Sequence, residues 1–183
     1  HQRYFGVEDA QGNLLPHFIT LANGRWDDAS QVVEGNERVL RARLADARFY
    51  WDVDLKAGRE KKLEELKSVV WIQGAGSLYD RAMRIELLVE RLAAHLKSGT
   101  GVPVVTAGVL PTALRAAHLA KADLATEMIR DGKEFTALQG IIGGAYARAG
   151  GEPEPVWQAI REHYQPRGPQ DPLPATTAGL LVS

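Results

Sequence analysis

The sequence predicts a mainly α fold that carries a short N-terminal β-hairpin. Three observations lead there. The stretch Gly35 to Leu55 is the longest unbroken helical pattern, with Leu40, Leu44, Ala47, Trp51 and Leu55 recurring at steps of three and four. A second stripe of the same kind runs through Leu78, Ala82, Ile85, Val89, Leu92 and Leu96. The third is a pair of strand-rich runs, Tyr4 to Val7 and Phe18 to Ala22, on either side of the turn sequence Glu8 to Asn13.

Taken in order, the hairpin comes first, with Gly12 and Asn13 able to take positive φ in its turn. A loop from Asn23 to Asp28 follows. Asp28 or Ser30 caps the next turn, and Gly35-Asn36 punctuates the chain before the long helix. Gly58 ends that helix. Arg59 to Val70 is charged at most positions, with Leu63, Leu66 and Val70 as a thin stripe, and reads as a short surface helix. Gly74-Ala75-Gly76 is a loop, Ser77 an N-cap, and a helix continues to about Lys97. The segment Ser98 to Pro111 reads as a loop or a short helical turn. Arg115 to Met128 is apolar nearly all round, as in a helix buried within a bundle. Glu134 to Arg148 is a further helix, whose Gly140, Gly143 and Gly144 suggest a kink or a close helix contact. Pro153 opens a last helix through Tyr164. From Gln165 the chain reads as loop.

The 183 residues suffice for one domain with a core, alone or with a small appendage. A net charge of −1 favours no class of partner, so a nucleic-acid surface would have to be a local patch. The absence of cysteine removes disulfides, thiolate metal sites and a cysteine nucleophile, and fits a cytoplasmic protein. No apolar run approaches the roughly 18 residues of a membrane helix. The chain starts at His1 and finishes in the run AGLLVS, so it is expected to be an internal piece of a longer polypeptide.

Arg38, Arg41 and Arg48 fall on the polar face of the long helix and are candidates for phosphate contact, because guanidinium forks pair with phosphate oxygens. The interleaved Asp46, Asp52 and Asp54 argue instead for a face paired internally. Arg43 sits at the edge of the apolar stripe, beside Ala47 and Tyr50, where a charge needs a partner; Asp46 is within reach. His118, Lys121 and Asp123 share one buried-looking segment. A metal-dependent phosphohydrolase of the HD type would need an adjacent His-Asp pair, but Ala122 precedes Asp123 and His118 lies five residues away. Polar residues bonded within the core, with Asp123, Glu127 and Arg130 as a salt-bridged face, are the better reading. QGIIGG at 139–144 lacks the phosphate-loop pattern. His163-Tyr164 reads as a C-terminal cap or interface pair. No catalytic residue and no metal ligand is assigned.

Ordered blocks then carry a resemblance: QRYF at 2–5, GNLLPHFITLAN at 12–23, GNERVLRARLADARFYWDVDL at 35–55, GSLYDRAMRIELL at 76–88, RAAHLAKADLATEM at 115–128, LQGIIGGAYAR at 138–148 and AIREHYQPRGPQDPLP at 159–174. Together they resemble the β subunit of bacterial heterotetrameric glycyl-tRNA synthetase. The resemblance implies a helical HD-like domain over residues 35–183, preceded at 1–34 by a hairpin and connecting segment from an upstream module. It implies an α2β2 assembly in which the α subunit uses ATP with magnesium, and no cofactor in this piece. The partners implied are tRNA(Gly), the α subunit and a second β subunit, without a membrane. Ala75 departs from the family pattern, as do the GTGVPVVTAGVLP spacing at 99–111 and the missing His-Asp pair.

The expected function is therefore a non-catalytic, tRNA-binding and scaffolding part of a glycine–tRNA ligase. The tRNA-contacting candidates are Arg38, Arg41, Arg43, Arg115 and Lys121. The rival readings are an HD-type phosphohydrolase, with metal at His118 and Asp123 aided by His163, and a purely structural subunit interface.

Overall fold

A computed structural model describes residues 4–99, 105–130 and 137–183, with side chains omitted at 97–99. The chain forms two compact units, His1–Asp46 and Ala47–Ser183. The division falls inside the first helix, downstream of the 34/35 boundary expected from sequence.

In the first unit, β1 (Tyr4–Glu8) pairs antiparallel with β2 (Leu14–Thr20), matching Tyr4 to Thr20 and Glu8 to Leu14. The Asp9 carboxylate closes the turn by accepting the Gln11 and Asn13 amides at 2.9 and 2.8 Å. Tyr4 meets Phe18 edge to face, with ring centroids 5.5 Å apart. The long helix α1 spans Ser30–Ala57 and starts where Asp28 accepts from the Ser30 amide and hydroxyl. It runs unbroken through Gly35, contrary to the expected punctuation. Asn36 stays helical because its side-chain amide donates to the Val32 carbonyl at 2.7 Å, while the Tyr4 hydroxyl donates to its Oδ1 at 3.0 Å. The expected apolar stripe of α1 is only partly used. Leu44 is 63% exposed, Arg43 lies in solvent instead of at a buried edge, and Asp54 is the one buried side chain of the helix.

In the second unit, Gly58 takes φ 81° and breaks the helix, and α2 (Arg59–Glu65) ends in a 3-10 turn at Leu66–Ser68. It is no surface helix: Lys62, Leu63 and Leu66 are buried, and Leu63 and Leu66 join Ala82, Ala122 and Ala125 in a small apolar cluster. Val70 belongs to β3 (Val70–Ile72), which pairs with β4 (Gly76–Ser77) around Gly74 at φ 84°. Helix α3 (Leu78–Gly99) begins with a reciprocal cap. The Asp80 amide donates to Ser77 Oγ at 3.1 Å, and the Ser77 amide to Asp80 Oδ2 at 2.7 Å.

The helix expected over Arg115 to Met128 is three pieces: α4 (Val109–Leu119), a 3-10 turn at Ala122–Ala125, and α5 (Glu127–Arg130). Thr126 separates the last two in an extended conformation. Its hydroxyl donates to the Asp123 carbonyl at 2.6 Å and accepts the Ile129 amide at 3.3 Å, capping α5. Part of the helix expected at Glu134 to Arg148 lies outside the described residues; α6 (Ile141–Ala149) starts after Gly140 at φ 80°. Helix α7 (Glu154–Glu162) follows as expected, and α8 (Thr177–Val182) occupies the tail read as loop. Thr176 caps α8 through the Gly179 amide at 3.0 Å. The main core joins α3, α4, α6, α7 and α8 through Val89, Ala116, Ala117, Ala147, Ala159, Ile160 and Leu181. Its alanines let these helices pack closely. Among the described residues no helix is long and apolar enough to cross a membrane.

Candidate functional site

The second unit holds a concentration of buried polar groups around a cavity of about 400 Å³, lined by Asp54, Arg59, Lys62, Asp123, Gly143 and Tyr146, among others. Asp54 is 3% exposed and fully engaged. Its carboxylate accepts the Glu127 amide at 2.9 Å, the Met128 amide at 3.3 Å and the Tyr146 hydroxyl at 2.8 Å. It therefore holds the start of α5 and ties it to α6. Lys62 Nζ stands 3.3 Å away, with Glu65 and Glu127 each at 3.4 Å. Burial pulls the Lys62 ammonium down, but these carboxylates outweigh it and leave the group above its ordinary range. Burial, reinforced by the bond to Asp54, pushes the Tyr146 phenol far up, so it acts as a fixed donor.

A second cluster joins the 3-10 turn to the end of α7. His163 Nδ1 donates to the Ile160 carbonyl at 2.6 Å, so its Nε2 is left as an acceptor for Lys121 Nζ at 2.8 Å. The same ammonium lies 3.8 Å from the Tyr164 ring centroid. Asp123 Oδ2 accepts the Gly140 amide at 2.6 Å and fixes the entry to α6. Burial lowers Lys121 to about 8 and His163 to about 3, and lifts Asp123 to about 6. The imidazole is neutral at pH 7.

A third network closes the rim. Arg115 grips Glu152 at 2.6 Å and Glu60 at 2.8 Å, and Arg59 shares Glu152 at 2.9 Å. His118 turns both ring nitrogens toward carboxylates, Glu86 at 3.0 Å and Glu60 at 3.4 Å.

These contacts bear on a metal centre. His118, Asp123 and His163 do not converge on one point. The His163 lone pair that a cation would need is taken by Lys121, and His118 is spent on Glu86 and Glu60. Among the described residues no group of three or more His, Asp or Glu could hold an ion. The side chains do not fit the metal of an HD-type hydrolase, and no hydrolytic step is derived through one. The expected salt-bridged face is half present: Glu127 and Arg130 approach to 3.9 Å, whereas Asp123 faces inward.

The five phosphate-contact candidates are dispersed. Arg38, Arg41 and Arg43 are exposed on α1, where Arg41 stands 4.0 Å from Glu37. Arg115 is bound to Glu60 and Glu152, and Lys121 is 3% exposed beneath Tyr164 and His163. Sequence reasoning passes over Lys62 and Glu152, and counts Asp54 only among the aspartates pairing the arginine face of α1. Asp54 sits at a polar position of a helix, and its hydrogen-bond donors lie 73 to 92 residues away, beyond any local pattern.

Comparison with known proteins gives one consistent result. The family described as glycyl-tRNA synthetase beta subunit matches residues 1–183. The chain is 46% identical over 183 residues to the glycine–tRNA ligase beta subunit of Chromohalobacter salexigens, covering all of this chain and 25% of that protein. It is 47% identical to the corresponding subunit of Nitratidesulfovibrio vulgaris and 45% identical to that of Acidobacterium capsulatum, covering 24% and 25% of their lengths. The chain thus spans about a quarter of the length of the curated relatives it matches.

Proposed function

The chain belongs to the glycyl-tRNA synthetase beta subunit family, and from that premise we propose that it is a non-catalytic, tRNA-binding and scaffolding part of a glycine–tRNA ligase. Activation of glycine with ATP and magnesium belongs, in this reading, to a separate α subunit. The partners are tRNA(Gly), that α subunit and a second β subunit, in the cytoplasm where tRNA is charged.

The observation that carries the non-catalytic part is the bond between Lys121 and His163. It consumes the one buried imidazole of the cluster. Around the cavity Asp54, Lys62 and Tyr146 are committed to one another and to the start of α5, and Asp123 Oδ2 to the start of α6. The RNA-binding part is supported by the exposed guanidinium groups of Arg38, Arg41 and Arg43 on one helix. Arg115 and Lys121 serve the scaffold, since a phosphate would have to displace Glu152 and Glu60 from the first and enter the core to reach the second.

The test is tRNA binding across a salt series by the full-length subunit in its assembled enzyme, with and without Arg38→Glu plus Arg41→Glu. Weaker binding and a shallower log–log salt slope, at unchanged helicity, support the reading. Unchanged affinity removes these arginines from the RNA surface and leaves a structural role for α1.

A further inference from the structure

A second cleft of about 480 Å³ opens between the end of α1, α6 and α7, lined by Trp51, Ile141, Gly144, Arg148, Trp157 and Arg161, among others. Its size is that of an ordinary small-ligand site. Gly144 sets its geometry. A Cβ at that position would stand 2.8 Å from the Trp157 carbonyl oxygen and 2.9 Å from Arg161 Cβ, so α6 and α7 touch there. That contact brings Trp157 and Arg161 beside Arg148, whose guanidinium lies 5.3 Å from the Trp157 ring centroid. Trp51 is held in a fixed orientation by stacking on Tyr146, with centroids 4.5 Å apart and an interplanar angle of 17°.

Arg148 and Arg161 are both exposed, and among the described residues neither has a carboxylate partner. This sets them apart from Arg59 and Arg115, which are bound to Glu152. The cleft therefore offers two half-buried indoles together with two cations that lack a carboxylate partner, one of which, Arg148, rests against the Trp157 ring. An apolar peptide would bury those charges without partners, which is costly. An acidic peptide would answer the arginines and leave the indoles without a planar partner. A nucleotide answers both, because every base has a π-face and every linkage carries a phosphate.

We propose that this cleft holds an unpaired nucleotide of the RNA ligand, with its base against an indole and its phosphate on Arg148 and Arg161. The inference rests on the RNA-binding reading above and adds to it a place where single-stranded RNA is distinguished from duplex. Base stacking on an aromatic side chain contributes about tenfold or more in affinity and tolerates any sequence. Arg148 and Arg161 would each add to the salt dependence.

The experiment compares a single-stranded oligoribonucleotide with a blunt-ended RNA duplex as probes of the full-length subunit. Trp157→Leu should weaken single-strand binding about tenfold with the salt slope unchanged. The double variant Arg148→Gln plus Arg161→Gln should weaken it and also reduce the slope. Duplex binding should change by less than about twofold in either, and the thermal melt reports that the fold survives. The inference is overturned if single-strand affinity is unchanged in both variants, or if an oligoglutamate peptide competes equally well before and after Trp157→Leu. If Arg38→Glu plus Arg41→Glu still weakens RNA binding in that case, the parent reading stands without the cleft. If the unaltered subunit binds neither probe at low salt, both fall together.

Discussion

Lys121 Nζ lies 2.8 Å from His163 Nε2, so a lysine ammonium occupies the place a cation would take on that imidazole. Burial first, and the neighbouring positive charge second, keep His163 down at about 3. Replacing Lys121 by Met removes the charge and leaves a side chain of similar length. We expect the His163 imidazole to move up toward, and remain below, its ordinary 6.5, as followed by NMR titration. An unchanged His163 titration would show that burial alone sets it.

The same cluster makes stability depend on pH with opposing signs. His163 has an ordinary value of 6.5 and is held near 3 in the fold, so the unfolded chain binds a proton that the folded chain refuses. Its contribution is complete above about 6.5 and is lost as pH falls toward 3. Asp123 is raised from 3.8 to about 6, so protonating it between those values favours the fold. The two oppose each other from about pH 6 to 4, and His163 acts without that opposition below. The urea midpoint should change little between about pH 6 and 4 and then drop, with a shallower drop in His163→Gln. An equally steep drop in that variant would assign acid lability to other groups.

Asp54→Asn should be strongly destabilising. The amide keeps one accepting oxygen where the carboxylate has two, so it sets an NH2 against one of its present donors, and Lys62, 3.3 Å away, loses its most buried counter-charge. Breaking one half of a buried pair costs about 3–5 kcal/mol. Adding Lys62→Met to Asp54→Asn should recover part of that loss, since it removes the stranded ammonium. A urea double-mutant cycle reads the coupling directly, and strictly additive losses would refute it.

Two glycines in helices should respond to alanine with opposite signs. Gly35 lies within α1 with open space where a methyl would project, so Gly35→Ala should stabilise by about 0.5–1 kcal/mol. Gly144 abuts the Trp157 carbonyl and Arg161, and a methyl there forces α6 from α7. Overpacking of this kind costs about 1–3 kcal/mol and outweighs the propensity gain. Thermal melts of the two variants that moved in the same direction would contradict this account.

Zinc and manganese should leave the melting temperature unaltered, because His118 and His163 are committed to Glu86 and Lys121. Stoichiometric binding by calorimetry, lost in His163→Gln, would restore the metal-centre reading.

The parts of the fold that were legible in sequence are those governed by local rules. The hairpin follows from its turn, α3 from a clean stripe and a Ser77 cap, and α7 from its leading proline. The break after Leu119 was not legible. RAAHLAKADLATEM contains neither Gly nor Pro, and the turn is imposed by distant partners: Gly140 for Asp123 and His163 for Lys121. Thr126 ahead of Glu127 is the one local cue, a capping residue inside an apparently continuous helix. Helix α8 is too short for periodicity to register, and only its Thr176 cap announces it. At the site, the sequence lacks the adjacent His-Asp ligands of an HD-type metal pair. It could not show that Arg115 and Lys121 turn to internal partners, because Glu152 and His163 are neighbours only in space.

The bond from Tyr146 to Asp54 spans 92 residues and has a consequence for the order of events at the ribosome. At usual elongation speeds those 92 residues take roughly 5–20 s to make. Throughout that interval Asp54 has left the peptidyl-transfer centre but its phenol donor does not yet exist, and the Glu127 and Met128 amides arrive only late in it. The carboxylate that anchors two later helices thus waits in water, where it is well solvated and costs nothing. Its native contacts are complete only once α6 has been made, and the α7 and α8 residues of the core follow later still.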